Sequence, residues 1–348
     1  MQRPAKPCTP VRFRLQPPKI MFSNKNILIT GGTGSFGKQF TKFILNNYKP
    51  NKLIIFSRDE YKQFLMKNEL QSDRLRFFIG DVRDKERVDR ALNGVDYVVH
   101  AAAMKQVEAS EYNPTECIKT NISGAQNIID SSIKNNVKKV IALSTDKAAS
   151  PLNLYGATKL VSDKLFVAAN NLVGHDNTSF SVVRYGNVVG SRGSVIPFFK
   201  KLLDQGEKIL PITHEDMTRF CITLDQGVEF VVKSFLRMWG GEIFVPKLPS
   251  MKMTDLAKLM SGNDNYNLIG IRPGEKIHEI MIPEDEARLT VEFDDFFTIK
   301  PSIELFRDES IYHETQIKEK LLNNSIDYEY SSGTNDNFLS YDQIKAFL

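Results

Sequence analysis

Short, largely apolar runs recur along the first half of the chain. They are Ile27–Ile29, Leu53–Phe56, Phe77–Ile79, Tyr97–Val99, Val140–Leu143 and Phe180–Val183. Runs of this length with no alternation predict strands buried on both faces, as in a parallel sheet. Between them apolar residues fall three and four apart: Phe40, Phe43 and Ile44 after the first run, and Ile118, Ile122, Ala125 and Ile129 before the fifth. That spacing predicts amphipathic helices, one of them long (residues 114–135) and another over residues 153–169. Strands alternating with helical or loop crossovers predict an α/β fold with a doubly wound, Rossmann-like parallel sheet. Asn121 interrupts the apolar stripe of the long helix and needs polar partners, which the strand-end loops can supply.

After about residue 190 the alternation weakens. Short helices are predicted near 195, 225–238 and 253–260, with a strand at 242–245, and residues 305–348 read as a peripheral appendage. Three segments are therefore expected: a disordered leader (1–20), a dinucleotide-binding domain (21–190), and a mainly substrate-binding region with its appendage (191–348). The leader holds five prolines, five Lys/Arg and no acidic residue. It lacks the apolar core of a secretory signal.

Composition narrows the function classes. In 348 residues, 41% hydrophobic and 25% charged content is ordinary for a globular enzyme. A net charge of +4 gives no basis for nucleic-acid or polybasic membrane binding. No apolar run approaches the ~20 residues needed to span a bilayer. Cys8, Cys117 and Cys221 are far apart and odd in number, and the five histidines show no paired spacing. Reduced thiols, a cytoplasmic setting and no metal site are expected.

Candidate chemistry begins at the first strand end, where Gly31-Gly-Thr33-Gly34-Ser35-Phe36-Gly37 precedes a helix. Glycines at 31, 34 and 37 suit a tight turn, the approach of a pyrophosphate and close helix–strand packing. The second strand ends at Ser57-Arg58-Asp59. Arg58 can pair with a ribose 2′-phosphate and Ser57 can donate to it, which predicts NADP over NAD. In the alternative, Arg58 is a solvated charge and Asp59 takes the ribose. Asp81 can accept from the adenine amino group with Val82 beside the ring, unless it instead caps the following helix. Ala101-Ala-Ala103 lets the backbone pass close to a dinucleotide, and Lys105 follows at the mouth of the site.

The fifth strand runs into Ser144-Thr145-Asp146-Lys147, and Tyr155 and Lys159 follow one helical turn apart. One strand end and one helix face can thus aim a set of polar groups at the carboxyl edge of the sheet, where ligands bind in open α/β folds. Asp146 and Lys147 are neighbours in what reads as extended chain, where side chains point opposite ways. A mutual pair is then poor, and each needs another partner. A strand-end ion pair is the competing reading. Arg219 and Arg272 are candidate diphosphate clamps, with surface salt bridges as the alternative.

Taken together, GGTGSFG, ALSTDKA, NLYGATK, RYGNVVGSRGSV, MTRF and IRPGEK resemble the extended short-chain dehydrogenase/reductase family. Within it they resemble the inverting UDP-N-acetylglucosamine 4,6-dehydratases of pseudaminic acid synthesis. The likeness spans residues 22–345. Two departures stand out: the leader, and Lys105-Gln106-Val-Glu108 after the alanine triplet. The resemblance implies oxidation of the sugar at carbon 4, loss of water across carbons 5 and 6, and return of the hydride to carbon 6. It implies Tyr155 as the base at the 4-hydroxyl, Thr145 on the 4-oxygen, and Lys159 on the cofactor ribose. Lys147, as a free amine, is the implied base at carbon 5, and Asp146 the acid for the departing hydroxyl. It adds Lys62 to the cofactor contacts, and Asn187 and Glu275 to Lys105, Arg219 and Arg272 around the substrate. A homo-oligomer, dimer or hexamer, is expected on the same basis. A UDP-sugar 4-epimerase is the alternative, and a non-catalytic NADP-binding sensor or scaffold is the alternative of another class.

Overall fold

The computed structural model describes residues 21–173, 178–191, 193–305, 309–346 and 348. The leader expected at 1–20 lies outside them. The first six strands are β1 (Asn26–Thr30), β2 (Lys52–Ser57), β3 (Leu75–Ile79), β4 (Tyr97–His100), β5 (Lys139–Thr145) and β6 (Ser179–Tyr185). Three more come from the second half: β7 (Ile243–Pro246), β8 (Thr290–Glu292) and β9 (Phe296–Ile299). They form one nine-stranded sheet in the order β8-β9-β7-β6-β5-β4-β1-β2-β3. Strands β1 to β7 run parallel, while β8 and β9 are antiparallel to their neighbours. The strand order reverses between β1 and β4, and that switch point opens a crevice at the carboxyl ends. The sheet is thus three strands wider than the six runs of the first half predict. Its extra edge is built from residues beyond 190.

Local chemistry sets the helix starts. Helices α1 (Ser35–Asn47), α2 (Glu60–Leu70) and α3 (Lys85–Leu92) follow the first three strands. Asp59 caps α2 by accepting from the Lys62 amide at 2.9 Å. Asp84 caps α3 by accepting from the Arg87 amide at 3.0 Å, so Asp81 is not that helix's cap. The long helix, α4, is helical through residues 114–134, but its middle turn, Lys119–Ser123, is a π-turn. Asn121 sits in that turn. Its amide group accepts from Met104 N–H (2.9 Å) and donates to Met104 C=O (3.0 Å), securing the loop after β4. Helix α5 (Leu154–Ala168) is capped by Asn153. A second, smaller apolar cluster joins Ile196, Phe199, Leu210, Met217, Met251 and Leu256 beside the crevice.

The carboxyl-terminal stretch is not the peripheral appendage its composition suggests. Tyr330–Ser331 pairs with strand Ile280–Ile282, and Tyr312, Ile326, Tyr330, Ser331 and Ser332 are buried. Among the described residues no helix is long and apolar enough to cross a membrane.

Candidate active site

A cleft of about 1740 Å³ runs along the carboxyl edge of the sheet. Single ligand pockets usually measure ~300–1,000 Å³, so the space suits two ligands side by side. Gly31, Thr33, Gly34, Ser35, Phe36 and Gly37 line it at one end, with Ser57, Arg58, Asp59, Lys62, Asp81, Val82 and Ala101. Thr145, Asp146, Lys147, Tyr155 and Lys159 line its middle. Lys105, Asn187, Arg219, Arg272 and Glu275 line the other end.

The glycine end fits a dinucleotide. Helix α1 begins at Ser35 behind Gly34, which has no side chain to cap it, and its first turn holds no acidic residue. Its leading N–H groups face the cleft with the positive end of the helix dipole, whereas α2 and α3 are closed by aspartates. A Cβ at Gly37 would stand 2.4 Å from the Gly32 carbonyl oxygen, so a larger residue would push α1 off the loop. Arg58 is exposed at the rim, 3.7 Å from Asp81, which also takes the Arg83 guanidinium at 2.6 Å. Ser57 Oγ accepts from Gln63 at 3.0 Å and keeps its own proton to donate.

The middle of the cleft depends on a second glycine. Beyond β5 the chain turns into a 3₁₀ turn, Asp146–Ala148, and α5 packs directly on it. A Cβ at Gly156 would lie 2.1 Å from the Lys147 carbonyl oxygen. Glycine here lets α5 approach close enough for the Tyr155 hydroxyl to hydrogen-bond Thr145. Asn153 ties the helix start to the far wall by donating to Gly274 C=O at 2.9 Å. Lys159 is buried one turn on, behind it Asp163, and behind that Arg184, which reaches Glu286 at 2.7 Å.

The 3₁₀ turn also changes the relation between Asp146 and Lys147. In extended chain they would diverge; in this turn Lys147 Nζ reaches Asp146 Oδ1 at 3.2 Å. The stronger contact is with Glu279 Oε1, at 2.7 Å. Glu279 is the site residue that reading the sequence missed. It followed His278 with no metal spacing, and nothing local ties it to a residue 132 positions away. Arg219, buried rather than a surface charge, reaches the same Glu279 oxygen at 3.6 Å and donates to the Thr218 and Ile277 carbonyls. The carboxyl-terminal stretch holds Glu279 in place: Ser332 Oγ accepts from Glu279 N–H at 2.9 Å, and Ser332 N–H donates to Glu279 C=O at 2.8 Å.

These neighbours divide the protons. Burial, and then the Glu279 charge, push the Asp146 carboxyl above the usual carboxylate range against the pull of Lys147. Burial pushes Glu279 the same way, but Lys147 and Arg219 outweigh it and hold Glu279 below that range. One carboxyl is thus poised as an acid and the other as an anion. For Lys147 burial favours the free amine, yet Asp146 and Glu279 prevail and hold it as an ammonium. This corrects the free-amine expectation for the chain without ligands. Burial pushes the Tyr155 hydroxyl up to about 12, despite Lys147 and Thr145. Burial lowers Lys159, with Asp163 opposing it. Among the described residues no group of His, Cys, Asp and Glu could hold a metal ion.

The chain matches the polysaccharide biosynthesis protein family over residues 27–301. It is 61% identical to an inverting UDP-N-acetylglucosamine 4,6-dehydratase of Campylobacter jejuni, covering 92% of this chain and 96% of the relative. It is 43% identical to a UDP-glucose 4-epimerase of Rickettsia conorii, over 80% of this chain and 84% of that one. Among solved structures it is similar to Pen from Bacillus thuringiensis, with TM-score 0.83, 36% identity, and 94% and 98% of the two chains covered.

Proposed function

The chain belongs to the polysaccharide biosynthesis protein family, of the extended short-chain dehydrogenase/reductase type, and on that premise we propose that it is a UDP-N-acetylglucosamine 4,6-dehydratase. The observation that carries this reading is the cluster itself: a raised carboxyl (Asp146), a lysine (Lys147) and the Tyr155–Lys159 pair, all facing one cleft. The reaction is a net loss of water with no net redox change, a hydro-lyase reaction.

When bound, the nicotinamide dinucleotide supplies a hydride acceptor for carbon 4 and a positive charge beside Tyr155. Tyr155 takes the 4-hydroxyl proton. Moving its hydroxyl from about 12 to neutrality requires roughly 7 kcal/mol of differential stabilisation, more than the protein's own Lys147 and Thr145 supply. Thr145 steadies the 4-oxygen, and Lys159, one turn along α5, holds the ribose. The ketone makes the carbon 5 proton acidic, and Lys147 removes it once its own proton has gone. Asp146, whose carboxyl burial and Glu279 push above the usual carboxylate range, gives a proton to the departing 6-hydroxyl. Arg219 and Arg272 flank the diphosphate, with Asn187, Lys105 and Glu275 around the sugar and nucleotide. Reprotonation of carbon 5 from the opposite face would give inversion, as in the name of the Campylobacter relative.

The test is mass spectrometry of the product formed from UDP-N-acetylglucosamine in deuterated water. Loss of one water with deuterium at carbon 5 is expected. A product of unchanged mass would make the chain an epimerase, like the Rickettsia relative. For the cofactor we propose NADP, because Arg58 is exposed at the rim of the cleft and held only by a 3.7 Å contact with Asp81. Arg58→Ala should weaken NADP about tenfold and leave NAD nearly unchanged in titration calorimetry. Equal losses for both would remove the preference. A homo-oligomer, dimer or hexamer, acting in the cytoplasm on the way to pseudaminic acid, completes the proposal. Sedimentation tests the assembly.

A further inference from the structure

We propose that Glu279 is the positioning residue for the carbon 5 chemistry: its carboxylate aims the Lys147 side chain and governs whether it stands as ammonium or free amine. The inference rests on the dehydratase reading and deepens it.

Three observations carry it. First, the Glu279 contact with Lys147, at 2.7 Å, is shorter than the Asp146 contact at 3.2 Å, so Glu279 sets the direction of the side chain. Second, Glu279 is fixed at its own backbone by the two Ser332 hydrogen bonds, so the aim is built into the fold. Third, Glu279 Oε2 is buried and without a hydrogen-bond partner, so its charge is answered at Oε1 alone, where Lys147 and Arg219 stand. The groups facing Glu279 are Lys147 and Asp146 from the 3₁₀ turn, Arg219 from strand Thr218–Ile222, and Lys276 from its own loop. Tyr155 from α5 stands beyond Lys147. Arg219 cannot give up a proton, whereas Lys147 can.

The proposed step is a proton transfer. The Lys147 Nζ–H bond breaks and its proton passes to water in the open cleft, forming hydronium and leaving a neutral amine that the Glu279 carboxylate keeps aimed. The amine then takes the carbon 5 proton and becomes ammonium again, and the C–H electron pair passes into the enolate of the 4-ketone. No external oxidant or reductant enters this step.

The test follows release of label from carbon 5-deuterated UDP-N-acetylglucosamine in single turnovers of the full chain, as a function of pH. Wild type should release label with an acid limb set by Lys147. Glu279→Gln removes the negative charge, so the limb should move at least one unit to lower pH. The plateau rate should fall at least tenfold, with substrate KM within about threefold. Glu279→Asp keeps the charge but shortens the reach, so the limb should stay and the plateau should fall in part. A lower plateau in Glu279→Gln without movement of the limb would reduce Glu279 to a structural contact and overturn the inference. So would a limb that moves equally in Glu279→Asp. Should Glu279→Gln fail to fold, Glu279→Asp decides: an unchanged plateau or a moved limb sinks the inference. If wild type itself releases no water, the dehydratase reading fails instead.

Discussion

Two buried ionic clusters stand back to back across α5. One is Lys159–Asp163–Arg184–Glu286; the other is Lys147–Asp146–Glu279–Arg219. Each holds one lysine, one arginine and two carboxyl groups. In the first the central cation is Arg184, with 0% side-chain exposure. In the second it is Lys147, at 25% and open to the cleft. An arginine keeps its proton under all ordinary conditions, so Arg184 can only hold structure behind Lys159, the member of its cluster that lines the cleft. A lysine aimed by carboxylates at the edge of a cleft can exchange its proton with water and with a ligand. The same set of charges does different work because of which cation sits in the middle and whether a substrate can reach it.

The comparison can be broken by swapping the losses. Lys147→Ala should cost about 10³–10⁴ in turnover and abolish carbon 5 exchange, while chemical denaturation shifts by only about 1 kcal/mol. Glu279 keeps Arg219 at 3.6 Å, and the space that Lys147 leaves opens onto the cleft. Retained exchange would return Lys147 to the structural class. Arg184→Met should do the reverse. Leaving Asp163 and Glu286 without their cation should cost about 3–5 kcal/mol of stability, read as a lower urea midpoint. Whatever folds should keep its cofactor affinity.

Acid sharpens the contrast from the sealed side. His100 is buried against Lys159 and bonded to Thr30 Oγ1 at 2.9 Å. Burial first, and Lys159 second, lower its pKa from 6.5 to about 3. The unfolded chain takes up that proton as pH falls through 6.5, and the folded chain does not until near 3. This part of the stability is therefore fully present above about 6.5 and is lost progressively toward pH 3, by an amount of order 5 kcal/mol. His100→Gln should flatten that part of the urea midpoint profile, and an unchanged slope would assign the acid sensitivity to other groups.

Much of this was legible in the order of residues. A run such as Ile27–Ile29 between polar ends specifies a buried strand whatever surrounds it. The glycine loop specifies a helix start close behind it, and the four-residue spacing of Tyr155 and Lys159 places them on one helix face. These are properties of a single element and its immediate neighbours, which short-range sterics decide. Of the three extra strands, β7 was expected at 242–245, whereas β8 and β9 are short and resemble many loop segments.

What remained was decided only by folding. Glu279 and Ser332 are remote in sequence from Lys147, and no local period joins them. Only the packing of the carboxyl-terminal stretch against strand Ile280–Ile282 brings them to the end of β5. Charge state was decided there too. Whether Lys147 is ammonium, or Asp146 an acid, depends on burial and on the distance to opposite charges, and a sequence carries neither until the chain has closed on itself.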